Sequence, residues 1–493
     1  MRVTFADVRQ PEQYWGVVLG PNGLFEVEPI VEKARVLFDK HVLEVQRLKA
    51  IDLWYKGSQP HHSIPSATTE LQKLLELSRT PWLGLVVTTI AQAMYVDGFR
   101  SPETGETVKG PWETWNGNGM ARGQAAIHRA ALGYGYSYTH VQAGTAQNGE
   151  ARSVIRGLSP KRCYAAYDDP SWDEWAQYAI TVDNREDNSA IVKLYDDTFT
   201  HTLMYAPNGT TQWLLMSSIA HGAGCVPIIR YTNQLDLDGN TPGEVEPFVE
   251  TASRIDKGAF DRLLTQHYNS WKKLWIAGLT KPNTAEQARL EKLKLRQNDI
   301  LNFEDPDTKV GWIPETDLGG FISAIESDIE HLAAISQLPN HLLTGKMVNL
   351  SAEALSAARA PLTQKVFERQ VSFGQSHNQT LRLAAKLAGD EAAANDLMSH
   401  VTWQDMEIRS LAQAADALGK MAETLGVPRQ ALWRKIPGTT QLDWDEWEAM
   451  LLDDDEVTKY LRELNDKQKQ AATGPGANND PNDTALDVDK NVA

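Results

Sequence analysis

The chain has 493 residues, 42% hydrophobic and 23% charged, enough to bury more than one sizeable core and to form roughly two to four structural units. A formal net charge of −17 excludes a protein that grips nucleic acid over its whole surface, because phosphate binding needs clustered Lys and Arg. The two cysteines, Cys163 and Cys225, are too few for a disulfide framework and read as inert buried thiols; no run of about 18 apolar residues is present to span a membrane.

Residues 1–16 lack an apolar core segment, so no secretory signal is expected. Over 25–50, Ile30, Ala34, Leu37, Phe38, His41 and Val42 fall near one helical face and predict an amphipathic helix. It should stop before the turn-rich segment Trp54-Tyr55-Lys56-Gly57-Ser58-Gln59-Pro60. Further helices are expected over 71–79 and 81–95, with Pro81 suited to a first turn. From Gly133 to Asn233, short β-branched and aromatic runs separated by Gly, Pro, Asn and Asp predict antiparallel strands. Past Pro242 the helical period returns: Phe248, Ala252, Ile255, Ala259, Leu263, His267, Trp271 and Leu274 predict a helix of about seven turns. Residues 278–320 read as a small module with a charged helix at 285–297 and a strand-like pair at 300–303 and 310–313. A second long helix runs from Phe321 through Ile325, Ile329, Leu332 and Ile335 to Leu338. Residues 339–350 interrupt it, and Ser351 is a suitable N-cap for a third, with Glu353 in its first turn. Pro361 falls about three turns in and costs about 3 kcal/mol unless the helix bends, so a kink is expected near Ala360. Residues 403–464 read as a small helical bundle. Beyond Asn465 the chain cannot bury enough apolar surface to offset its ordering entropy, and a disordered tail is expected. The fold class is α+β, mainly helical.

The motifs that could carry chemistry fail where their geometry is strictest. Asp236, Asp238 and Asn240 resemble the start of an EF-hand loop, but Thr241 and Pro247 stand where Gly and a bidentate Glu belong. Gly345 and Lys346 resemble a phosphate loop, but Asn340 replaces its first Gly and Met347 its Ser or Thr. His61 and His62 lie in a Pro-flanked loop without metal-ligand spacing. The carboxylates of Asp453, Asp454, Asp455 and Glu456 would point all round a helix and cannot converge on two metals. No enzyme activity, cofactor or metal is expected.

The order of elements, with four local segments, carries a resemblance. The segments are Trp54 to Gln59, Val226 to Asn233, Leu350-Ser351-Ala352-Glu353-Ala354-Leu355, and Val401 to Asp405. In order and spacing the chain resembles the portal proteins of long-tailed phages, the Gp6-like family, over nearly its whole length. The resemblance implies a portal fold with a wing at 1–243, stem helices at 244–276 and 319–338, and a clip at 277–318. It further implies a tunnel loop at 339–350, a kinked helix at 351–388, a crown at 389–464 and a tail at 465–493. It implies a ring of about twelve copies, a closed assembly of one repeated contact, at one vertex of the virion head and assembled in the host cytoplasm. The implied partners are double-stranded DNA passing through the channel, the terminase, the head-to-tail adaptor, and the major capsid and scaffolding proteins, with no membrane.

A channel must confine DNA carrying one charge per ~1.7 Å of axis yet let it slide, which favours an acidic wall with sparse cations. Lys346 is the single cation of the implied tunnel loop and the candidate DNA contact, with His341 and Asn349 beside it; an ion pair between Lys346 and a neighbouring subunit's carboxylate is the alternative. Lys281, Asn283, Lys292, Lys294 and Arg296 are candidates for docking the packaging ATPase, or else a solvated charged helix. Sequence does not orient Asp256, Asp261, Glu326, Asp328 or Glu330. Rival readings are the large terminase, which would need a phosphate loop and a converging acidic set, an adaptor or minor capsid protein, and a monomeric cytosolic binding protein.

Overall fold

A computed structural model describes residues 29–60, 68–102, 107–145, 149, 151–186, 188–207, 212–269, 274–277, 309–312, 316–346, 352–404, 411–433, 435–436, 438–439 and 441–454. In chain order α1 (Pro29–Tyr55), α2 (Thr69–Ser78) and α3 (Trp82–Gln92) precede β1 (Val96–Arg100), and α4 (Lys109–Gly117) and α5 (Met120–Tyr134) follow it. Eight strands come next: β2 (Tyr136–Thr145), β3 (Ala151–Leu158), β4 (Cys163–Ala166), β5 (Tyr178–Asn184), β6 (Ala190–Tyr195), β7 (Phe199–Tyr205), β8 (Trp213–Ala220) and β9 (Ile228–Thr232). Then come α6 (Val249–Asn269), β10 (Leu274–Ala277), β11 (Lys309–Trp312), α7 (Gly319–Ile335), α8 (Asn340–Thr344), α9 (Ala352–Ala388), α10 (Glu391–Asn395) and β12 (His400–Trp403). The last helices are α11 (Leu411–Thr424), α12 (Arg429–Trp433) and α13 (Gln441–Asp454). The chain divides into two compact units between Trp403 and Gln404.

In the first unit β4 to β8 form an antiparallel meander, and β3, β2 and β9 form a separate sheet in that order. α1 lays Ala34 and Leu37 over Ile180, Val182, Val192, Leu194 and Leu203 of the meander, while Phe38 meets Trp213 edge-on at 5.3 Å. Covering one sheet face with a helical stripe contributes about 1.5–3 kcal/mol per large side chain removed from water. The main core joins α1, α3, α5, α6, α7 and α9 around Trp115, Phe373, Leu132 and Leu332.

α9 packs on the β3-β2-β9 sheet through a polar stripe. Ser372 Oγ donates to the carbonyl of Thr232 at 2.7 Å and Ser376 Oγ to that of Arg230 at 2.8 Å. Residues 230 and 232 point to the same free edge of β9, so two serines one helical turn apart satisfy carbonyls that an edge strand leaves unpaired. One turn further, Thr380 Oγ1 lies 2.9 Å from both Thr139 Oγ1 and the Tyr231 hydroxyl. Beside them His128 and His377 meet Nε2 to Nε2 at 2.8 Å, and the Tyr231 hydroxyl reaches His377 Nδ1 at 3.0 Å.

The structure departs from the sequence pattern at several points. α1 continues through Trp54 and Tyr55, which pack against the main core. The first long helix ends at Asn269, not near 276: Leu274 belongs to β10, which pairs with β11 through Leu274↔Trp312 and Ala277↔Lys309. A local 3.6-residue period cannot register that non-local pairing. The expected partner strand at 300–303, the charged helix at 285–297 and the N-cap Ser351 lie outside the described residues. α4, α5 and β1 have no counterpart in the sequence reading, because Gly110, Gly117, Gly119, Gly123 and Gly133 punctuate that stretch as if it were loop. Pro361 lies inside α9, which is one continuous helix, and two residues on the Thr363 hydroxyl donates to the carbonyl of Arg359 at 3.3 Å. The segment 401–403 does not open the terminal bundle, because as β12 it pairs with β1 through Phe99↔Val401, and Thr402 Oγ1 donates to Asp97 at 2.8 Å. The first unit therefore holds residues 389–403, which the expected crown included. In the second unit Trp433 and Trp447 meet edge-on at 5.7 Å, and Trp444 Nε1 donates to Thr439 Oγ1 at 2.9 Å.

His41, His128 and His377 are all buried. Burial lowers His41 to about 4 and His128 to about 3, and carries His377 well below its usual value, with the neighbouring His128 adding to the effect. The folded chain keeps these rings neutral, whereas the unfolded chain protonates them near pH 6.5. Their contribution to stability is complete above about pH 6.5 and drains as pH falls toward the folded values, by about 1.4 kcal/mol per pH unit for each ring that remains neutral. We expect the urea midpoint to be flat from pH 8 to 7 and to fall steeply below about pH 6.5; a midpoint independent of pH down to 5 would contradict this assignment.

Candidate functional site

The paired helices α6 and α7 run antiparallel. Arg254 Nε meets Asp328 Oδ1 at 2.8 Å near one end, and Asn269 Nδ2 donates to the carbonyl of Thr316 at 3.0 Å near the other. Between these contacts a Cβ on Gly258 would lie 3.0 Å from Ile325 Cγ1, so the missing side chain lets the helices approach. β10 and β11 pair with each other as a short antiparallel ladder.

The carboxylates left unoriented by the sequence now have partners. Asp256 is buried and accepts from Gln59 Nε2 at 2.5 Å and from the Thr80 N–H at 3.2 Å. Asp261 pairs with Lys257 one turn away. Asp328 pairs with Arg254, Glu326 with Lys346, and Glu330 accepts from Asn340 at 3.4 Å.

Beyond α7 the chain doubles back along it. Gln337 adopts φ 59, Leu338 and Leu343 are buried as anchors, and α8 makes one helical turn. Gly345 (φ 66) closes that turn by donating its N–H to the carbonyl of His341 at 3.0 Å. The Gly-Lys pair is thus a helix C-cap, not a phosphate cradle. Lys346 Nζ then reaches Glu326 Oε1 at 2.7 Å, with both side chains open to solvent. The cation of this loop is paired within its own chain. His341 is half-buried in α8. Asn349, Lys281, Asn283, Lys292, Lys294 and Arg296 lie outside the described residues.

A feature without a local sequence signal fixes this region to the body. Glu244 is buried just before α6 and accepts from Lys365 Nζ at 2.5 Å, from Arg369 Nη2 at 3.1 Å and from Asn233 Nδ2 at 3.1 Å. Lys365 also donates to the carbonyl of Ser336 at the end of α7, at 3.0 Å. One carboxylate therefore joins the end of β9, the entry to α6, the exit of α7 and the middle of α9. Burial holds the Lys365 ammonium below its usual range, and Glu244 opposes that shift. The cations stand at i and i+4 of α9, a spacing visible in the sequence, but their partner is more than 100 residues away.

Asp236 to Asn240 form a turn, while His61, His62, Asp455 and Glu456 lie outside the described residues. Asp236 accepts from the N–H of Asn240 at 2.7 Å and from its side-chain amide at 2.9 Å, closing a turn on Gly239 (φ 80); these bonds hold its carboxyl below the usual range. Burial pushes both thiols up, Cys225 to about 12. Among the described residues no cluster of three or more potential metal ligands forms, and no described helix is long and apolar enough to cross a membrane.

Two antiparallel helices are thus anchored by a buried ion cluster on a body of mixed helix and sheet. The family model described as phage portal protein, SPP1 Gp6-like, matches residues 35–469, and the chain belongs to that family. It is 26% identical over 431 residues to the portal protein of Mycobacterium phage D29, covering 82% of this chain and 86% of that one. To the portal protein of Mycobacterium phage L5 it is 25% identical over 379 residues, covering 71% and 74%. Among solved structures it resembles a chain from the "Neck of empty GTA particle computed with C6 symmetry", with a TM-score of 0.42, 9% identity, and 79% of this chain and 99% of that chain covered.

Glu244→Ala should leave Lys365 and Arg369 buried without their shared anion and cost about 3–5 kcal/mol, read as a shift in the denaturant midpoint. Replacing Glu244, Lys365 and Arg369 together by apolar residues of similar volume should restore most of that loss. A single variant as stable as the parent would show that the cluster does not hold α9 in place.

Proposed function

We propose that the chain is one subunit of a ring at a single vertex of a tailed phage head, enclosing the channel through which double-stranded DNA is packaged and later ejected. The observation that carries this reading is the antiparallel α6–α7 rod in a chain that belongs to the portal family. Rods repeated side by side around an axis make a wall, and about twelve copies close the ring through one heterologous contact. With a formal charge of −17 per copy, the assembly repels phosphate overall, which suits a channel in which DNA must move without being held.

In this reading residues 1–243 form the wing and α6 and α7 the stem, within 244–276 and 319–338. Residues 277–318 form the clip, 339–350 the tunnel loop and 351–388 the kinked helix, with the crown and tail following. Lys346 is the DNA contact, with His341 and Asn349 as polar neighbours. Lys281, Asn283, Lys292, Lys294 and Arg296 of the clip dock the terminase and later the head-to-tail adaptor, while the outer surface meets the major capsid and scaffolding proteins. The subunit has a structural role without catalysis or cofactor, assembles in the host cytoplasm and resides in the virion.

Negative-stain images of the purified protein should show radial rings with a central hole wider than a DNA duplex, and a monomeric globule would overturn the reading. Lys346→Glu should leave rings intact while lowering packaged DNA per head, measured by nuclease-protected DNA; unchanged packaging would remove Lys346 from the channel.

A further inference from the structure

Within the 339–350 segment, Lys346 forms an exposed ion pair with Glu326 of α7. Lys346 Nζ sits 2.7 Å from Glu326 Oε1, and the two side chains remain 65% and 43% exposed. The lysine backbone is fixed while its ammonium is not. Gly345 ends α8 in a left-handed conformation, and the Lys346 N–H donates to Thr344 Oγ1 at 3.3 Å. Leu343 is buried beneath, and Asn340 tethers the same segment to Glu330. What remains free is a four-carbon stem with a point charge at its end.

We infer that Glu326 is a built-in competitor for DNA at Lys346: the stem carboxylate holds the ammonium until a phosphate passes and reclaims it afterwards. This rests on the channel reading of the loop. An exposed pair is only marginally better than two hydrated ions, so a phosphate oxygen can take the carboxylate's place at little cost. Once the lysine turns to the phosphate, Glu326 stands uncompensated with Glu330 one turn along the same helix. Those two charges repel the phosphate and draw the ammonium back. The contact is short-lived by construction, as sliding requires, and a lone lysine in the bore would instead pair with each phosphate it met.

The test uses the assembled ring and fluorescently labelled linear duplex DNA, with binding followed by anisotropy across a salt series. Glu326→Gln should tighten binding by a factor of about 1.4 to 5 for each lysine engaged, and should steepen log K against log salt by about 0.9 per additional phosphate contact. Lys346→Gln in the Glu326→Gln background should abolish both gains. If Lys346→Gln alone weakens binding while Glu326→Gln changes nothing, the competitor fails and the channel reading stands. If the double variant keeps the gain, the effect is general loss of negative charge and the competitor again fails. If neither single variant alters binding or its salt dependence, the assignment of Lys346 to DNA fails together with the inference.

Discussion

The architecture of the first unit depends on one buried anion. Glu244 receives Lys365, Arg369 and Asn233, while Lys365 also bonds the carbonyl of Ser336. The chain reaches this point through a crossing that only glycine permits. A Cβ on Gly243 would lie 2.6 Å from the carbonyl oxygen of Gly133, and one on Gly135 would lie 1.9 Å from that of Thr241. The backbones of two distant segments touch there, and the Glu244 N–H donates to the carbonyl of Leu132 at 2.6 Å. A buried ion cluster is a weak source of net stability, because desolvation opposes the Coulomb gain. In this register of α9, residues 365 and 369, one turn apart, both reach the same carboxylate.

From that anchor α9 extends over the β3-β2-β9 sheet and governs what lies on either side. Ser372 and Ser376 occupy the free edge of β9, and Ser153 of β3 donates to the carbonyl of Ala384 further along. Asn378 accepts the N–H of Val401 and so positions β12 beside β1. The apolar content of this interface comes largely from rings: Trp115 edge-on to His377 at 5.1 Å and His128 stacked on Phe373 at 5.1 Å. Among these rings His377 meets His128 through one ring nitrogen and the Tyr231 hydroxyl through the other, and burial keeps both imidazoles neutral.

Three of the stretches that carry the family resemblance, those with Gln59, Asn233 and Thr402, are joints between elements. Gly57 (φ 70) lets the chain turn against Pro81, and Gln59 then reaches the buried Asp256 on α6. Asn233, at the end of the strand that contains Tyr231, reaches Glu244, and Thr402 fastens β12 to Asp97. Each is a place where a polar side chain crosses between elements far apart in sequence, and such positions tolerate few replacements. The α6–α7 pair is tied to the body by Gln59, which reaches Asp256 of α6, and by Lys365, which reaches the carbonyl of Ser336 at the end of α7.

The sequence by itself determined part of the element order: the amphipathic α1, the strands from Tyr136 to Thr232, and the helices that contain Ile255 and Ile329 as core positions. Those follow from apolar spacing, which acts over a few residues and is legible in a single chain. It also indicated that Gly345-Lys346 and Asp236 to Asn240 lack the partners that phosphate or calcium would need. Tertiary structure alone decided that Leu274 leaves the helix for a strand, that residues 401–403 join β1, and that Gly-punctuated 109–134 is helical. It alone chose the mates of Lys346, Asp256 and Glu244. A charged side chain carries no local mark of its partner, because ion pairs and strand pairs are chosen by proximity that only the folded chain creates.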